Sequence, residues 1–220
     1  MAHSFEKDYW EEHWVQANDP ASAVADEGTA NPHLRREAAG LRPGTALDAG
    51  CGTGAEAIWL AGKGWRVTAA DISANALQQA ALRAADAAIG NAVTWVEADL
   101  TTWVPDSRFD LVVTSYAHPA VPQLAFYDRI SDWVAPGGTL LIIGHLHQQD
   151  SAAGEAHRHD HQHDGHPPAE AQVTRADITA RLDPSVWRID RAEEHSRTLD
   201  VEEGRVLTLH DVVVRASRLA

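Results

Sequence analysis

The residues best suited to chemistry form a glycine-rich turn. Residues 47–54 read LDAGCGTG, so Asp48 precedes three alternate glycines, Gly50, Gly52 and Gly54. Alternate glycines let the backbone turn sharply and approach a ligand closely, and a helix that follows such a turn presents free N–H groups. The turn therefore predicts a binding site for a nucleotide-like ligand.

Two further carboxylates follow the next two predicted strands. Asp71 ends the second strand, where a carboxylate can accept hydrogen bonds from both hydroxyls of a ribose. Asp99 follows the third strand and is placed to receive an exocyclic amine. This pattern indicates recognition of both ribose and adenine.

The elements that position these residues alternate regularly along the chain. Strand patterns cover 45–49, 65–70, 93–97, 109–115 and 139–144, and helical patterns cover 55–63, 74–89 and 121–134. Such alternation is typical of an α/β fold with a doubly wound, mostly parallel sheet.

The C-terminal part of the chain has a different pattern. The residues from Thr174 to Asp177 form a capping box that predicts the start of a helix. Two strand patterns follow, over 186–194 and 205–215, and a turn-like segment over 200–204 separates them. Strands joined this closely are expected to pair antiparallel.

Together these features resemble the class I S-adenosylmethionine-dependent methyltransferases. The resemblance covers about 31–215 and includes the Asp-x-Gly-x-Gly-x-Gly turn, the two later acids, the Pro136-Gly137-Gly138 segment and the terminal hairpin. It implies S-adenosylmethionine as cofactor and a seven-stranded sheet whose last strand inserts antiparallel between the fifth and the sixth. The cofactor residues that it implies are Asp48, Gly50, Cys51, Gly52, Gly54, Asp71, Ile72, Asp99, Leu100 and Trp14.

The N-terminal residues are expected to form a lid. Aromatic residues, Trp14 among them, recur at helical spacing over 4–17, and a second helix is predicted to begin at Pro32 with Asn31 as its N-cap. The first segment resembles the aromatic entry helix of methyltransferases in the thiopurine and tellurite-resistance groups. The resemblance therefore implies a helical lid over 1–40 and a cofactor-binding domain over 41–220. The alternative is a helix that only buries its aromatic residues on the sheet edge.

Methyl transfer from a sulfonium mainly requires the acceptor and the methyl group to be held in a near-attack geometry. A phenol, an alcohol or a protonated nitrogen needs a general base, whereas a thiolate attacks unaided. The resemblance places substrate-side residues after strand four, where His118 is a candidate base and Tyr116 could orient the acceptor or pack against the methyl group. His118 could instead cap a turn, and His145 and His147 are further candidates.

A histidine-rich insertion, at about 145–172, has no apolar periodicity. His157, His159, His161 and His163 alternate with polar residues, so an extended chain places them on one side, where they could bind a divalent metal weakly. The alternative is a solvated loop of low complexity. Because the insertion follows strand five, at the ligand-binding edge of the sheet, we expect it to shape access to the acceptor.

Composition limits the classes of partner. Eighteen Lys and Arg residues against 32 Asp and Glu residues give a net charge of −14, which disfavours nucleic acid and membranes as partners. Cys51 is the single cysteine and is expected to be a packing residue rather than a nucleophile. With no apolar leader, the chain is expected to be cytoplasmic and to act on an O, N or S atom of a small-molecule acceptor.

Two alternatives remain open from the residues alone. Gly52, Gly54 and Ala57 fit the looser Gly-x-Gly-x-x-Ala pattern of NAD(P)-dependent oxidoreductases, with Asp71 as the ribose acid. The histidine-rich insertion is also compatible with a metal-binding or metal-sensing protein on a methyltransferase scaffold.

Overall fold

The structure, a computed structural model, describes residues 5–16, 29–146, 172–201 and 205–220. Helices and strands alternate through most of these residues. The helices are α1 (Lys7–Gln16), α2 (Pro32–Ala38), α3 (Ala55–Gly62), α4 (Ala74–Asp86), α5 (Gln123–Ser131) and α6 (Arg175–Ala180). The strands are β1 (Thr45–Ala49), β2 (Arg66–Asp71), β3 (Val93–Glu97), β4 (Phe109–Ser115), β5 (Val134–Leu146), β6 (Gln172–Val173), β7 (Trp187–Val201) and β8 (Arg205–Arg218).

The strands of the described residues form one sheet in the order β3-β2-β1-β4-β5-β8-β7. Strands β1 to β5 pair in parallel, and β8 lies antiparallel between β5 and β7. The doubly wound fold and the inserted last strand are thus confirmed. The short strand β6 was not predicted; it pairs in parallel with the last two residues of β5, which lie beyond the end of β4.

Strand β5 begins earlier than the sequence predicts. Val134 already pairs with Phe109, and the register then shifts so that Thr139 pairs with Leu111. The Pro-Gly-Gly segment therefore lies inside an irregular strand instead of preceding it. Gly138 is required there, because a Cβ atom at this position would lie 2.9 Å from the carbonyl oxygen of Ala135.

The helix ends follow local capping chemistry. The side chain of Asn31 accepts a hydrogen bond from the backbone N–H of His33, as expected for the N-cap of α2. Thr174 and Asp177 form the predicted capping box of α6. Helix α4 ends before the predicted residue 89, since Ala88 has a left-handed backbone with φ of 54°.

The core has two layers, one on each face of the sheet. Alternate residues of the central strands point to opposite faces, so Val112 and Leu111, both fully buried, belong to different clusters. This packing fixes the carboxyl ends of β1 to β4 along one edge, where the predicted site residues lie. No helix in the described residues is long and apolar enough to cross a membrane.

Candidate active site

The glycine turn joins β1 to α3 at this edge. Gly50, Gly52 and Gly54 have φ of 79°, 49° and 83°, in the left-handed region that favours glycine. The N–H groups of Gly50 and Cys51 donate to the carbonyl oxygen of Ala70 over 2.9 and 3.1 Å. The turn is therefore held against β2, beside the predicted ribose acid.

Two buried carboxylates lie at the turn. Asp48 is 1% exposed, and its Oδ2 atom has no hydrogen-bond partner among the described residues. Burial first, and then the charges of Glu56 and Asp71, raise the pKa of Asp48 well above its usual value. A positively charged ligand would compensate this buried charge.

Asp71 organises the turn through both of its oxygens. Its Oδ2 atom accepts the N–H of Gly52 over 2.8 Å, and Oδ1 accepts the N–H of Ser73 over 3.0 Å. Burial raises the pKa of Asp71, and these hydrogen bonds only partly offset the shift. Each oxygen retains a lone pair with which it could accept a ligand hydroxyl.

The residues predicted to contact ribose and adenine lie next to Asp71. Ile72 is half-buried and directly follows it. Asp99 is exposed, and its Oδ1 atom accepts the N–H of Thr101 over 2.8 Å, which closes a local turn. Leu100 is 8% exposed and packs into one of the two core clusters.

Helix α1 lies over the glycine turn. A Cβ atom on Gly52 would be 2.9 Å from Cζ2 of Trp14, so the indole covers this glycine. The carboxylate of Glu11 accepts hydrogen bonds from the N-terminus of α4, at the N–H of Ala74 over 2.8 Å and the hydroxyl of Ser73 over 2.9 Å. These contacts hold α1 against the body of the domain, whereas α2 packs elsewhere, near β5.

An aromatic cluster lies beside the turn, after β4. We use this name for Phe5, Trp10, Tyr116, His118 and His145. The ring of Tyr116 stacks on His145 with centroids 4.5 Å apart, and His118 lies 5.3 Å from His145, 5.8 Å from Phe5 and 6.4 Å from Trp10. Both predicted substrate-side residues thus lie in one cluster, which α1 completes.

His118 has an unusual environment in this cluster. Its Nδ1 atom is buried and has no hydrogen-bond partner among the described residues. Burial lowers the pKa of His118 to about 4, and the side chain of Gln123 opposes this shift only in part. His118 is therefore neutral at physiological pH.

Other predicted residues do not reach this cluster or lie outside the described residues. Cys51 is buried, and burial raises the pKa of its thiol well above the usual value, so the thiol stays protonated. The described residues contain no group of three or more His, Cys, Asp or Glu side chains that could hold a metal ion. His147 and the proposed metal ligands, His157, His159, His161 and His163, lie outside the described residues.

Sequence reasoning did not identify three residues at this edge, Glu11, His33 and Asp211. Asp211 is wholly buried, accepts the hydroxyl of Tyr116 and faces His33. A charged residue directly before the apolar run Val212 to Val214 is the one signal that could have indicated it. Glu11 and His33 had no such signal, because their contacts are with segments distant in the sequence.

Comparisons with known proteins find similarity to methyltransferases. Residues 46–138 match the family model described as a methyltransferase domain. Trans-aconitate 2-methyltransferase of Streptomyces avermitilis is 34% identical over 132 residues, which are 57% of this chain and 46% of that protein. Thiocyanate methyltransferase 1 of Brassica oleracea is 29% identical over 149 residues, which are 65% of this chain and 64% of that protein.

A solved structure extends the likeness to nearly the whole chain. TehB from Haemophilus influenzae has a TM-score of 0.67 at 15% identity, covering 96% of this chain and 67% of that one. The chain spans about half the length of several curated relatives that it matches. These matches are to methyltransferases or to their fold, and they give no support to an oxidoreductase or a metal sensor. Residues 46–138 thus match a methyltransferase domain, and the fold of the chain is one that solved methyltransferases share.

Proposed function

We propose that this chain transfers a methyl group from S-adenosylmethionine to a small molecule, and that the acceptor atom is sulfur or a similarly soft nucleophile. The observation that carries the second part is the aromatic cluster beside the glycine turn, which contains no Lys or Arg and includes a neutral His118. The reaction is expected in the cytoplasm, since a chain with a single cysteine, Cys51, lacks the intramolecular disulfides that are common in small secreted domains.

The buried carboxylates support the cofactor. S-adenosylmethionine carries two positive charges, the sulfonium and the α-ammonium, and supplies an electrophilic methyl group when bound. Oδ2 of Asp48, which has no hydrogen-bond partner in the described part of the chain, is a buried acceptor suited to such a cation. Asp48, Gly50, Cys51, Gly52 and Gly54 would hold its methionine side, Asp71 and Ile72 its ribose, Asp99 and Leu100 its adenine, and Trp14 would cover it.

The aromatic cluster favours an acceptor that needs no deprotonation before it attacks the methyl group. An imidazole with a pKa of about 4 is a weak base, poorly matched to a phenol or an alcohol. A thiolate or a comparable soft anion needs no base. When such an anion attacks a sulfonium, its negative charge and the positive charge of the sulfonium are both lost. An apolar environment solvates the charged reactants poorly, and it therefore favours this reaction.

The same cluster disfavours a polycarboxylate. One relative is named for trans-aconitate and another for thiocyanate, so the two acceptor classes need to be distinguished. A tricarboxylate requires compensating cations when it is buried. The aromatic cluster contributes neither Lys nor Arg, and the net charge of −14 adds to the repulsion.

An acceptor screen tests the proposal. Methyl-labelled S-adenosylmethionine would be incubated with thiocyanate, an aryl thiol, a phenol or trans-aconitate, and binding of S-adenosylhomocysteine and NADH would be measured by calorimetry. We expect labelled product from a sulfur acceptor, at least tenfold faster than from the phenol or trans-aconitate, and binding of S-adenosylhomocysteine alone. Asp48→Asn should abolish labelling, and Asp132→Asn, at an exposed position, should not.

Two outcomes contradict the proposal separately. Transfer to the phenol or to trans-aconitate, and not to sulfur, would overturn the acceptor class while leaving methyl transfer intact. Binding of NADH without binding of S-adenosylhomocysteine would overturn methyl transfer itself.

A further inference from the structure

The loop after β3 begins at the ribose end of the candidate cofactor site. We call residues 98–103 the adenine loop, because Asp99 and Leu100, the two residues predicted to contact adenine, belong to it. The N–H of Ala98 donates to the carbonyl oxygen of Asp71, the predicted ribose acid, over 2.8 Å. The main chain thus joins the two predicted parts of the site directly.

The adenine loop folds into a tight turn at Asp99. The carbonyl oxygen of Asp99 accepts the N–H groups of Thr102 and Trp103 over 3.0 and 2.7 Å. Its Oδ1 atom accepts the N–H and the hydroxyl of Thr101 over 2.8 and 2.7 Å. Within the described residues these bonds reach Oδ1 and not Oδ2, so Oδ2 of this exposed side chain can accept a ligand donor.

Arg129 of α5 holds the other end of the adenine loop. Its Nε atom donates to the carbonyl oxygen of Leu100 over 2.8 Å, and its Nη2 atom donates to that of Trp103 over 2.7 Å. Hydrogen bonds from a charged donor are about twice as strong as those between neutral groups, and the guanidinium is a rigid planar fork. Arg129 therefore fixes these two carbonyl groups relative to each other and to α5.

Two indole rings keep this guanidinium in place. The guanidinium carbon of Arg129 lies 5.6 Å from the centroid of the buried Trp133 ring, where a cation is attracted by the face of the indole. The ring of Trp103 meets Trp133 edge-on, with centroids 5.5 Å apart. Trp133 thus contacts both the arginine and the adenine loop, and the three side chains support one another.

Arg218 makes similar contacts in a different part of the sheet. Its Nη1 atom donates to the carbonyl oxygen of Val134 over 2.9 Å, and its guanidinium carbon lies 5.8 Å from the centroid of the buried Trp187 ring. Both arginines are half-buried. Arg218 ends β8 and lies beside the start of β5, away from the adenine loop, so it provides a matched comparison.

We propose that Arg129 is a positioning residue for cofactor recognition: by holding two carbonyl groups of the adenine loop, it keeps Asp99 where Oδ2 receives the exocyclic amine of adenine. This inference rests on the proposed function, since it takes S-adenosylmethionine to be the ligand. Without the guanidinium, both carbonyl groups would lose their charged donor and the loop would be fixed by fewer contacts. The loss should fall on recognition of the amine and leave the rest of the cofactor site intact.

The test compares two ligands that differ only at the exocyclic amine. Affinity for S-adenosylhomocysteine and for its 6-deamino analogue, in which hydrogen replaces the amine, would be measured by calorimetry. The proteins are the wild type, Arg129→Gln, Asp99→Ala and the double variant, with Arg218→Gln as the matched control. Thermal midpoints would be measured in parallel, and Arg129→Lys, which keeps the charge and lacks the fork, serves if Arg129→Gln does not fold.

We expect the wild type to bind S-adenosylhomocysteine about tenfold or more tightly than the 6-deamino analogue, because a hydrogen bond to a charged acceptor is lost. Arg129→Gln should weaken S-adenosylhomocysteine about fivefold or more and change the affinity for the analogue by less than about twofold. The double variant should discriminate between the ligands no less than Asp99→Ala alone. Arg218→Gln should discriminate as the wild type does, even if its thermal midpoint falls.

Unchanged discrimination in Arg129→Gln would overturn the proposal. Equal weakening of both ligands would do the same, since it would indicate a purely structural role, and so would an equal loss of discrimination in Arg218→Gln. A wild type that binds the two ligands equally well would show that Asp99 does not recognise the amine, and would leave methyl transfer intact. Failure to bind S-adenosylhomocysteine at all would overturn the proposed function together with this inference.

Discussion

Gly50 and Ala117 are packed so closely that no side chain fits between them: a Cβ atom on Gly50 would lie 2.3 Å from Cβ of Ala117. This contact joins the turn predicted to hold the cofactor to the loop that carries Tyr116 and His118. A cofactor site and an acceptor site must be held in fixed register for an in-line displacement. The absence of a side chain at Gly50 is what allows that register here.

Gly50→Ala should therefore damage both stability and binding. The new methyl group would clash with Ala117, and alanine would be strained at φ of 79°. We expect the free energy of unfolding to fall by about 2–5 kcal/mol, from about 1–2 for the left-handed backbone and about 1–3 for overpacking. Affinity for S-adenosylhomocysteine, measured by calorimetry, should fall at least tenfold.

Gly62→Ala is the control for this substitution. Gly62 is the last residue of α3 and has open space around it, so alanine there should leave stability and affinity unchanged or slightly raised. The double variant Gly50→Ala with Ala117→Gly should regain the overpacking part of the loss and not the backbone part. Equal behaviour of Gly50→Ala and Gly62→Ala would contradict the importance of the contact.

Glu11→Gln should loosen helix α1. Burial alone would raise the pKa of Glu11, but hydrogen bonds from Ala74, Ser73 and Asn75 outweigh it and lower the pKa. A carboxylate at a helix N-terminus contributes about 1 kcal/mol, so protection of the α1 amides from hydrogen exchange should fall roughly fivefold. Exchange measured with mass spectrometry, with Glu12→Gln as the charge-matched control, checks this.

The contact between Glu11 and the N-terminus of α4 should weaken in acid. Because the pKa of Glu11 is lowered in the folded state, its contribution is present above the unfolded value of about 4.3 and is lost as the pH falls through the folded value. Helix α1 should thus loosen in acid in the wild type and much less so in Glu11→Gln. An equal acid response in the two proteins would show that another group holds the helix.

The sequence predicted the central part of the fold well, for local reasons. The bounds of β1, β3 and β4 are the predicted ones, because short apolar runs between glycine and polar turns leave little freedom. The capping residues Asn31 and Thr174 act as predicted, since a cap depends on neighbours within a few positions. The predicted start of β5 was wrong. Val134 pairs with Phe109, so the strand begins before the Pro-Gly-Gly segment, whose sequence is typical of a turn.

The candidate site was predictable only in part, for the same reason. Asp48 and Asp71 lie at the carboxyl ends of β1 and β2, where a local pattern reveals them. The bond between Tyr116 and Asp211 joins residues 95 positions apart, and the bond between Glu11 and Ser73 joins residues 62 apart. Such pairs are determined by packing of the whole sheet, which no local pattern encodes.

Asp48→Asn should separate stability from function. Burial raises the pKa of Asp48 in the folded state, so in the wild type the stability that the protonated carboxyl group retains at low pH is lost as the pH rises through the folded value. The amide removes this buried charge. We expect the ligand-free variant to be at least as stable as the wild type at pH 8, by urea unfolding, and to bind S-adenosylmethionine at least tenfold more weakly.

Asp132→Asn, at an exposed position, should change neither property. A ligand-free Asp48→Asn protein that is clearly less stable than the wild type at pH 8 would argue that the carboxylate serves the fold instead of the ligand.

His118→Gln should make the protein less sensitive to mild acid. Burial lowers the pKa of His118 to about 4, so between pH 6.5 and 4 the unfolded chain binds the proton and the folded one does not. Wild-type stability is therefore lost as the pH falls through this window, by about 2 kcal/mol at pH 5 for this group. The free energy of unfolding, measured with urea at pH 7 and at pH 5, should fall less between these pH values in His118→Gln than in the wild type. In His195→Gln it should fall as much as in the wild type.

The same variant distinguishes two roles for His118 in catalysis. Loss of a general base lowers kcat by about 10²- to 10⁴-fold. A histidine that only contacts a soft acceptor through Nδ1, which no described residue bonds, contributes less, so His118→Gln should lower kcat by less than tenfold and raise KM for the acceptor. A hundredfold loss of kcat with unchanged KM would instead identify His118 as a base, and with it an acceptor that must lose a proton.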